Sequence, residues 1–199
     1  MRTALGGLRR FIATSEVSKN RVFRFVDGSV RPDHSLIVTA VDDASVLGIL
    51  SSRVHVVWAL ASGGRLGVGN DSRYNRSKCF DPFPFPELDA RSRERIAEVA
   101  ERIDEHRKAR LSEHTSLTMT GIYNVLTALR EGRELKPKEK VVYEAGLVSL
   151  LMRLHDELDA LVFEAYGWPV NLTDEEILER LVALNAERAA EEAKGQVRW

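Results

Sequence analysis

Cysteine is almost missing from this chain, and Cys79 stands alone. A lone thiol excludes an internal disulfide and any multi-thiolate metal site. No apolar run approaches the roughly 18 residues of a membrane span. The first seven residues lack an apolar core of signal-peptide length, so the cytoplasm is the expected compartment. The five histidines, at 34, 55, 106, 114 and 155, show no His-x-x-x-His or comparable ligand spacing. That argues against a metal site. Glu134-Leu135-Lys136 has the Glu-x-Lys spacing, but no strand aspartate precedes it, so a metal nuclease finds no support. Internal repeats and low-complexity runs are also absent. What remains is an ordinary soluble composition, 44% hydrophobic and 30% charged over 199 residues, enough for one large domain or two small ones.

The net charge of -1 hides an asymmetry. Residues 1–86 carry 12 Lys and Arg against 7 Asp and Glu, whereas residues 87–199 carry 17 against 23. A basic first half joined to an acidic second half suits a polyanion at the first half only. Uneven surface charge without a partner is the plainer alternative.

Local patterning divides the chain in the same place. Arg10–Thr14, Val22–Val26 and Leu36–Val41 are short runs rich in β-branched or aromatic residues and predict strands. Three such strands leave exposed sheet edges. Asp43-Ala44-Ser45 opens a helix that is apolar nearly all round through Leu60 and stops at Gly63-Gly64. Beyond the hinge Pro82-Phe83-Pro84-Phe85-Pro86, only helical patterns follow. They are predicted from Asp89 to about Arg110, over 115–130 and over 138–166, with a last helix opened by the capping box Thr173-Asp174-Glu175-Glu176. Residues 188–199 are expected to fray. The expected fold class is α+β, with a partial mixed α/β domain at 1–86 and an all-helical domain at 87–199.

The chemistry concentrates in Gly63–Asn75. A dinucleotide loop needs a strand before its glycines and a helix after them. Here a helix comes first, and no Gly-Lys-Ser/Thr ending exists. A loop mixing glycine with Arg, Asn, Asp and Tyr suits base edges instead. Arg65 and Arg73 can fork onto guanine acceptors or phosphates, Asn70 suits adenine, and Asp71 can accept from cytosine. Arg76 and Lys78 fit phosphates, as do Lys19 and Arg21 in the turn Ser18-Lys19-Asn20-Arg21. His55 reads as a core residue, and Arg53 is placed to brace the loop. Cys79 reads as buried, and Asp156-Glu157-x-Asp159 as a solvated helix face.

The order of several short motifs carries a resemblance. They are Arg10-Phe11-Ile12-Ala13-Thr14, Val17-Ser18-Lys19-Asn20-Arg21-Val22-Phe23, Leu47-Gly48-Ile49-Leu50-Ser51-Ser52-Arg53-Val54-His55, Gly64-Arg65-Leu66, Arg73-Tyr74 and Phe83-Pro84-Phe85-Pro86. This order resembles the end of the target-recognition domain of class I SAM-dependent DNA adenine methyltransferases, in particular the MmeI-like enzymes of type IIL restriction–modification. Ile122-Tyr123-Asn124, Ala165-Tyr166-Gly167-Trp168-Pro169 and Leu172–Leu178 resemble that family's C-terminal helical domain. The resemblance implies that Gly67–Arg73 sets target choice, and Tyr74 joins the base-reading set. It also implies duplex DNA as partner and SAM as cofactor of the full-length enzyme. Neither the family's Asn-Pro-Pro-Tyr-type motif nor a SAM-binding glycine loop occurs here. The chain alone is therefore expected to read DNA without transferring a methyl group, its catalytic half residing in a separate methyltransferase or nuclease subunit if present. A helical protein-interaction module and a non-functional gene remnant are the alternatives.

Overall fold

In the computed structural model, which describes residues 5–66 and 71–196, the N-terminal β-rich runs become two small antiparallel sheets. Strands β1 (Arg10–Ser15), β3 (Arg24–Asp27) and β4 (Leu36–Thr39) form the first, in the order β3-β1-β4. Central β1 is buried on both faces. Ile12 meets Phe23, Phe25, Leu47 and Leu50, while Phe11 and Ala13 meet Val26 and Val38 on the other side. The second sheet has the order β2-β6-β5, from β2 (Val17–Ser18), β5 (Gly64–Leu66) and β6 (Asp71–Arg73). The segment expected as a loop therefore pairs as two antiparallel strands, and residues 67–70 lie outside the described residues.

The apolar helix is two helices. Asp43 caps α1 (Ala44–Ser51) by accepting from the Ser45 amide at 2.8 Å. Ser52 ends it in an extended conformation, and its hydroxyl donates to Ile49 O at 2.7 Å. The same serine caps α2 (Arg53–Ser62), and the two axes meet at 62°. Serine suits this bend because its short side chain serves the ends of both helices. Among the described residues no single helix is long and apolar enough to cross a membrane.

α1 is packed on two sides. Leu47 and Leu50 face the first sheet, and Ile49 faces the helical core with Val54, Val57 and Trp58 of α2. A Cβ at Gly48 would lie 2.6 Å from Ile96 Cγ2, so glycine is what lets α1 close onto α3 (Ala90–Glu113). Beyond α3 come α4 (Met119–Arg130), α5 (Pro137–Ala145), α6 (Val148–Tyr166) and α7 (Asp174–Glu192). The helix expected over 138–166 is broken at Gly146-Leu147, where Leu147 takes a left-handed φ of 44°. The capping box at Thr173 and Glu176 forms, with bonds of 2.7 and 3.2 Å.

Two features cross residues 86 and 87. One apolar cluster joins Ile49, Val54, Val57, Trp58 and Phe83 to Ile96, Val99, Leu151 and Leu158. The Pro-Phe segment expected as a hinge is clamped: Tyr166 Oη donates to Pro84 O at 2.9 Å, Asn185 to Pro82 O and Arg188 to Phe85 O.

A buried polar joint ties β3 to the helices. Arg107, 1% exposed, donates to Phe23 O at 2.9 Å and to Tyr123 Oη at 3.0 Å, and pairs with Asp104 at 3.3 Å. Asp104 accepts from the Phe25 amide at 3.3 Å, and Tyr123 Oη meets His155 Nε2 at 2.9 Å. Removing one member leaves buried groups without partners. Arg107→Ala is expected to lower unfolding free energy by about 3–5 kcal/mol. Arg102→Ala, which breaks an exposed pair with Glu157, should cost about 0.5 kcal/mol or less. Urea melts of both variants check this; equal losses would remove the joint's special role.

Candidate nucleic-acid interface

The β5–β6 hairpin is anchored at both roots. α2 ends at Gly63, whose N–H donates to Ala59 O at 3.0 Å, and β5 begins at the next residue. A Cβ at Gly63 would stand 2.5 Å from Arg73 O and 2.7 Å from Ala59 O, so the close exit requires glycine. At the other root the Tyr74 amide donates to Glu16 O at 2.8 Å. The Tyr74 ring lies edge-on to Phe23 at 5.3 Å, and its hydroxyl is 3.1 Å from His55 Nε2. Asn75 then caps one π-helical turn, Arg76–Phe80, by accepting from the Lys78 amide at 2.9 Å, and Cys79 is fully buried within that turn.

Pairing decides which side chains share a face. Ser18, Ser72 and Arg65 stand opposite one another across β2, β6 and β5, and Leu66 stands opposite Asp71. Cross-strand partners point to the same side. Arg65 therefore shares the Ser18–Ser72 face, and Asp71 and Arg73 point the other way. Lys19 follows directly on Ser18, the last paired residue of β2.

Residues 9–87 match the family model described as the MmeI target recognition domain. This segment is an MmeI-type target recognition domain. DNA methyltransferase A of Bacillus subtilis (strain 168) is 32% identical to the chain over 181 residues, which are 88% of this chain and 18% of that protein. The solved structure described as type IIL restriction–modification enzyme MmeI in complex with DNA shares the fold. It has a TM-score of 0.70 at 22% identity, over 91% of this chain and 21% of that one. The chain thus spans about a fifth of the length of the relatives it matches.

Within the target recognition domain, the expected contact residues fall into three groups. Arg65 is exposed, Asp71 half-buried, and Lys19 and Lys78 exposed, and none has a side-chain hydrogen bond or ion pair among the described residues. Arg73 and Arg76 are exposed but paired, Arg73 with Glu16 at 2.7 Å and Arg76 with Asp81 at 2.9 Å. Arg76 and Lys78 lie at the root of the hairpin, away from its tip. Tyr74 and Arg21 correct the expectation. Tyr74 is 2% exposed, because its ring completes an aromatic cluster with Phe23 and His55. Arg21 is 8% exposed, because its donors are consumed by β1 and β6. Both side chains are engaged in contacts within the protein. Asn70 lies outside the described residues.

Other residues also differ from their reading. Arg53 turns away from the hairpin to Asp174, at 2.5 Å. Asp159 is no solvated acid; it accepts from the Arg53 amide at 2.7 Å, at the first turn of α2. Glu16 and Ser72 emerge as hairpin residues that composition gave no reason to single out. Cys79 is buried as read.

Burial gives the fold a pH dependence. It holds the imidazoles of His55 and His155 down at about 3, with nearby Arg21 and Arg107 acting in the same direction. It pushes the Asp159 carboxyl up to about 6. Between about pH 6.5 and 3 the unfolded chain binds protons at both histidines that the native chain refuses, so acidification destabilises. Between about 6 and 3.8 native Asp159 takes a proton first and offsets one of the two. From these three groups, stability should fall by about 1.4 kcal/mol per pH unit as pH drops from 6 towards 4. Thermal melts across that range check it; a melting temperature that stays level would contradict the buried neutral histidines.

Proposed function

We propose that this chain is the DNA-reading portion of an MmeI-type restriction–modification methyltransferase, and that its β5–β6 hairpin contacts base edges. The observation that supports it best is the target recognition domain over residues 9–87, whose hairpin projects Arg65 with no protein partner among the described residues. The MmeI structure with the same fold was solved in complex with DNA. The basic balance of residues 1–86 suits the same partner. Arg65 offers a planar fork to guanine, Asp71 an acceptor to cytosine amino groups, and Lys19 a charge to the flanking phosphate. Arg73, held by Glu16, is available to a phosphate that displaces the carboxylate.

The residues present do not fit SAM. Gly63 and Gly64 follow a helix and open a strand, the reverse of the strand–loop–helix order that cradles such a cofactor. Methyl transfer to adenine, the type IIL arrangement and SAM binding belong in this reading to the other four-fifths of an enzyme of the relatives' length, which extrudes the target base for its chemistry.

Fluorescence anisotropy with a pool of random duplexes, titrated with salt, tests the reading. Wild-type chain should bind with affinity that falls steeply with salt. Arg65→Ala should cost about 1–3 kcal/mol at the sequences the wild type selects, and relax that selection. Lys19→Ala should weaken all duplexes alike and reduce the salt slope by about 1. Absence of salt-sensitive duplex binding would overturn the reading.

A further inference from the structure

Beneath the hairpin lies a cation with no carboxylate partner. Arg21 is 8% exposed. Its Nη1 donates to Thr14 Oγ1 at 3.2 Å and to Ser15 O at the end of β1. Its Nη2 donates to Ser72 O at 2.8 Å and Ser72 Oγ at 3.1 Å on β6. The acceptors are themselves held: Ser72 Oγ donates to Ser18 O at 2.9 Å, and Thr14 Oγ1 donates to Val22 O at 2.8 Å. Tyr74 lies 5.3 Å below the guanidinium. Among the described residues no acid lies within ion-pair distance of it. One planar fork thus spans the first sheet and the middle strand of the second, 51 residues away in sequence. Ser72 stands opposite Arg65, so the group that Arg21 grips sits directly across from the base-reading candidate.

We propose that Arg21 is a positioning residue, a buried strut that sets the height and register of the β5–β6 hairpin and thereby the sequence choice of Arg65. Its role in site choice rests on the hairpin reading bases, as proposed above; its role as a strut does not. The fork geometry is essential, since four acceptors in two directions match a guanidinium and not a point-like ammonium. Base readout demands side chains held within about 0.5 Å of the productive position, so a strut that loosens costs discrimination before it costs affinity for phosphates.

Arg21→Lys separates these effects, because it keeps the cation and loses the fork. Ser72→Ala is the milder companion, since it removes only the hydroxyl contacts and leaves the carbonyl. Two measurements apply to the 199-residue chain. In hydrogen exchange of the free protein, Arg21→Lys should speed exchange of the amides in 64–66 and 71–73 while those of α3 and α6 stay as in wild type. In selection from random duplexes, both variants should keep the wild-type salt slope, and Arg21→Lys should lose about 5- to 150-fold in preference for the sequences that wild type enriches, the range of one bidentate base contact. Ser72→Ala should lose less. Wild-type exchange in the hairpin with selection retained would overturn the strut. So would uniformly weaker binding with a salt slope lower by about 1, which is the signature of a phosphate contact. If Arg21→Lys loosens the hairpin but wild type itself selects nothing, the strut stands and base reading by the hairpin falls.

Discussion

A helix without a solvated face holds this molecule together. α1 must hide apolar residues on two sides, and it does so by lying between the first sheet and the α3–α6 layer. Gly48 removes the one side chain that would keep α1 from Ile96. Every element that shapes the hairpin descends from that placement. α2 turns away at Ser52, carries its buried face along the helical core, and delivers the chain at Gly63 to the start of β5. The sheet and the helices are therefore not independent bodies joined by a proline-rich hinge. The Pro-Phe segment is pinned through its carbonyls by α6 and α7.

That scaffold explains how a short hairpin can be well placed. Two- and three-residue strands have little stability of their own. Here the roots are fixed by Gly63 on one side and by Tyr74, Cys79 and the Asn75 cap on the other, while Arg21 grips the middle strand from below. Arg21, Tyr74, His55 and Cys79 are buried there, and among the described residues His55 Nδ1 has no partner. A recognition element on such a support exposes its contact residues without being free to wander, which is what discrimination between neighbouring sequences requires.

Much of the fold was legible in the sequence because the signals were local. β-branched runs marked β1, β3 and β4, Asp89 marked the start of α3, and Thr173 with Glu176 marked α7. The misses share a cause: each depended on a partner distant in sequence. Ser52 looks like an interior residue of one apolar helix, and only the packing of α2 against α6 and α7 makes it a corner. Leu147 gives no hint of a left-handed conformation. The glycine-rich loop reads as irregular because the strand that completes its sheet, β2, lies some 50 residues upstream. At the candidate interface Arg65, Lys19 and Lys78 sit at the surface as their composition suggests. Arg21 and Tyr74 do not, because a surface-type residue is drawn inside when carbonyls or aromatic rings from several segments converge on it. No spacing along the chain announces that convergence.

The central claim is that nucleic acid contacts the β5–β6 hairpin at Arg65. Site-specific photo-crosslinking tests it directly, with a photoreactive amino acid in place of Arg65 or in place of exposed Val141 on α5. The account predicts covalent capture of duplex DNA from position 65 and none from position 141. Capture from 141 with none from 65 would contradict it.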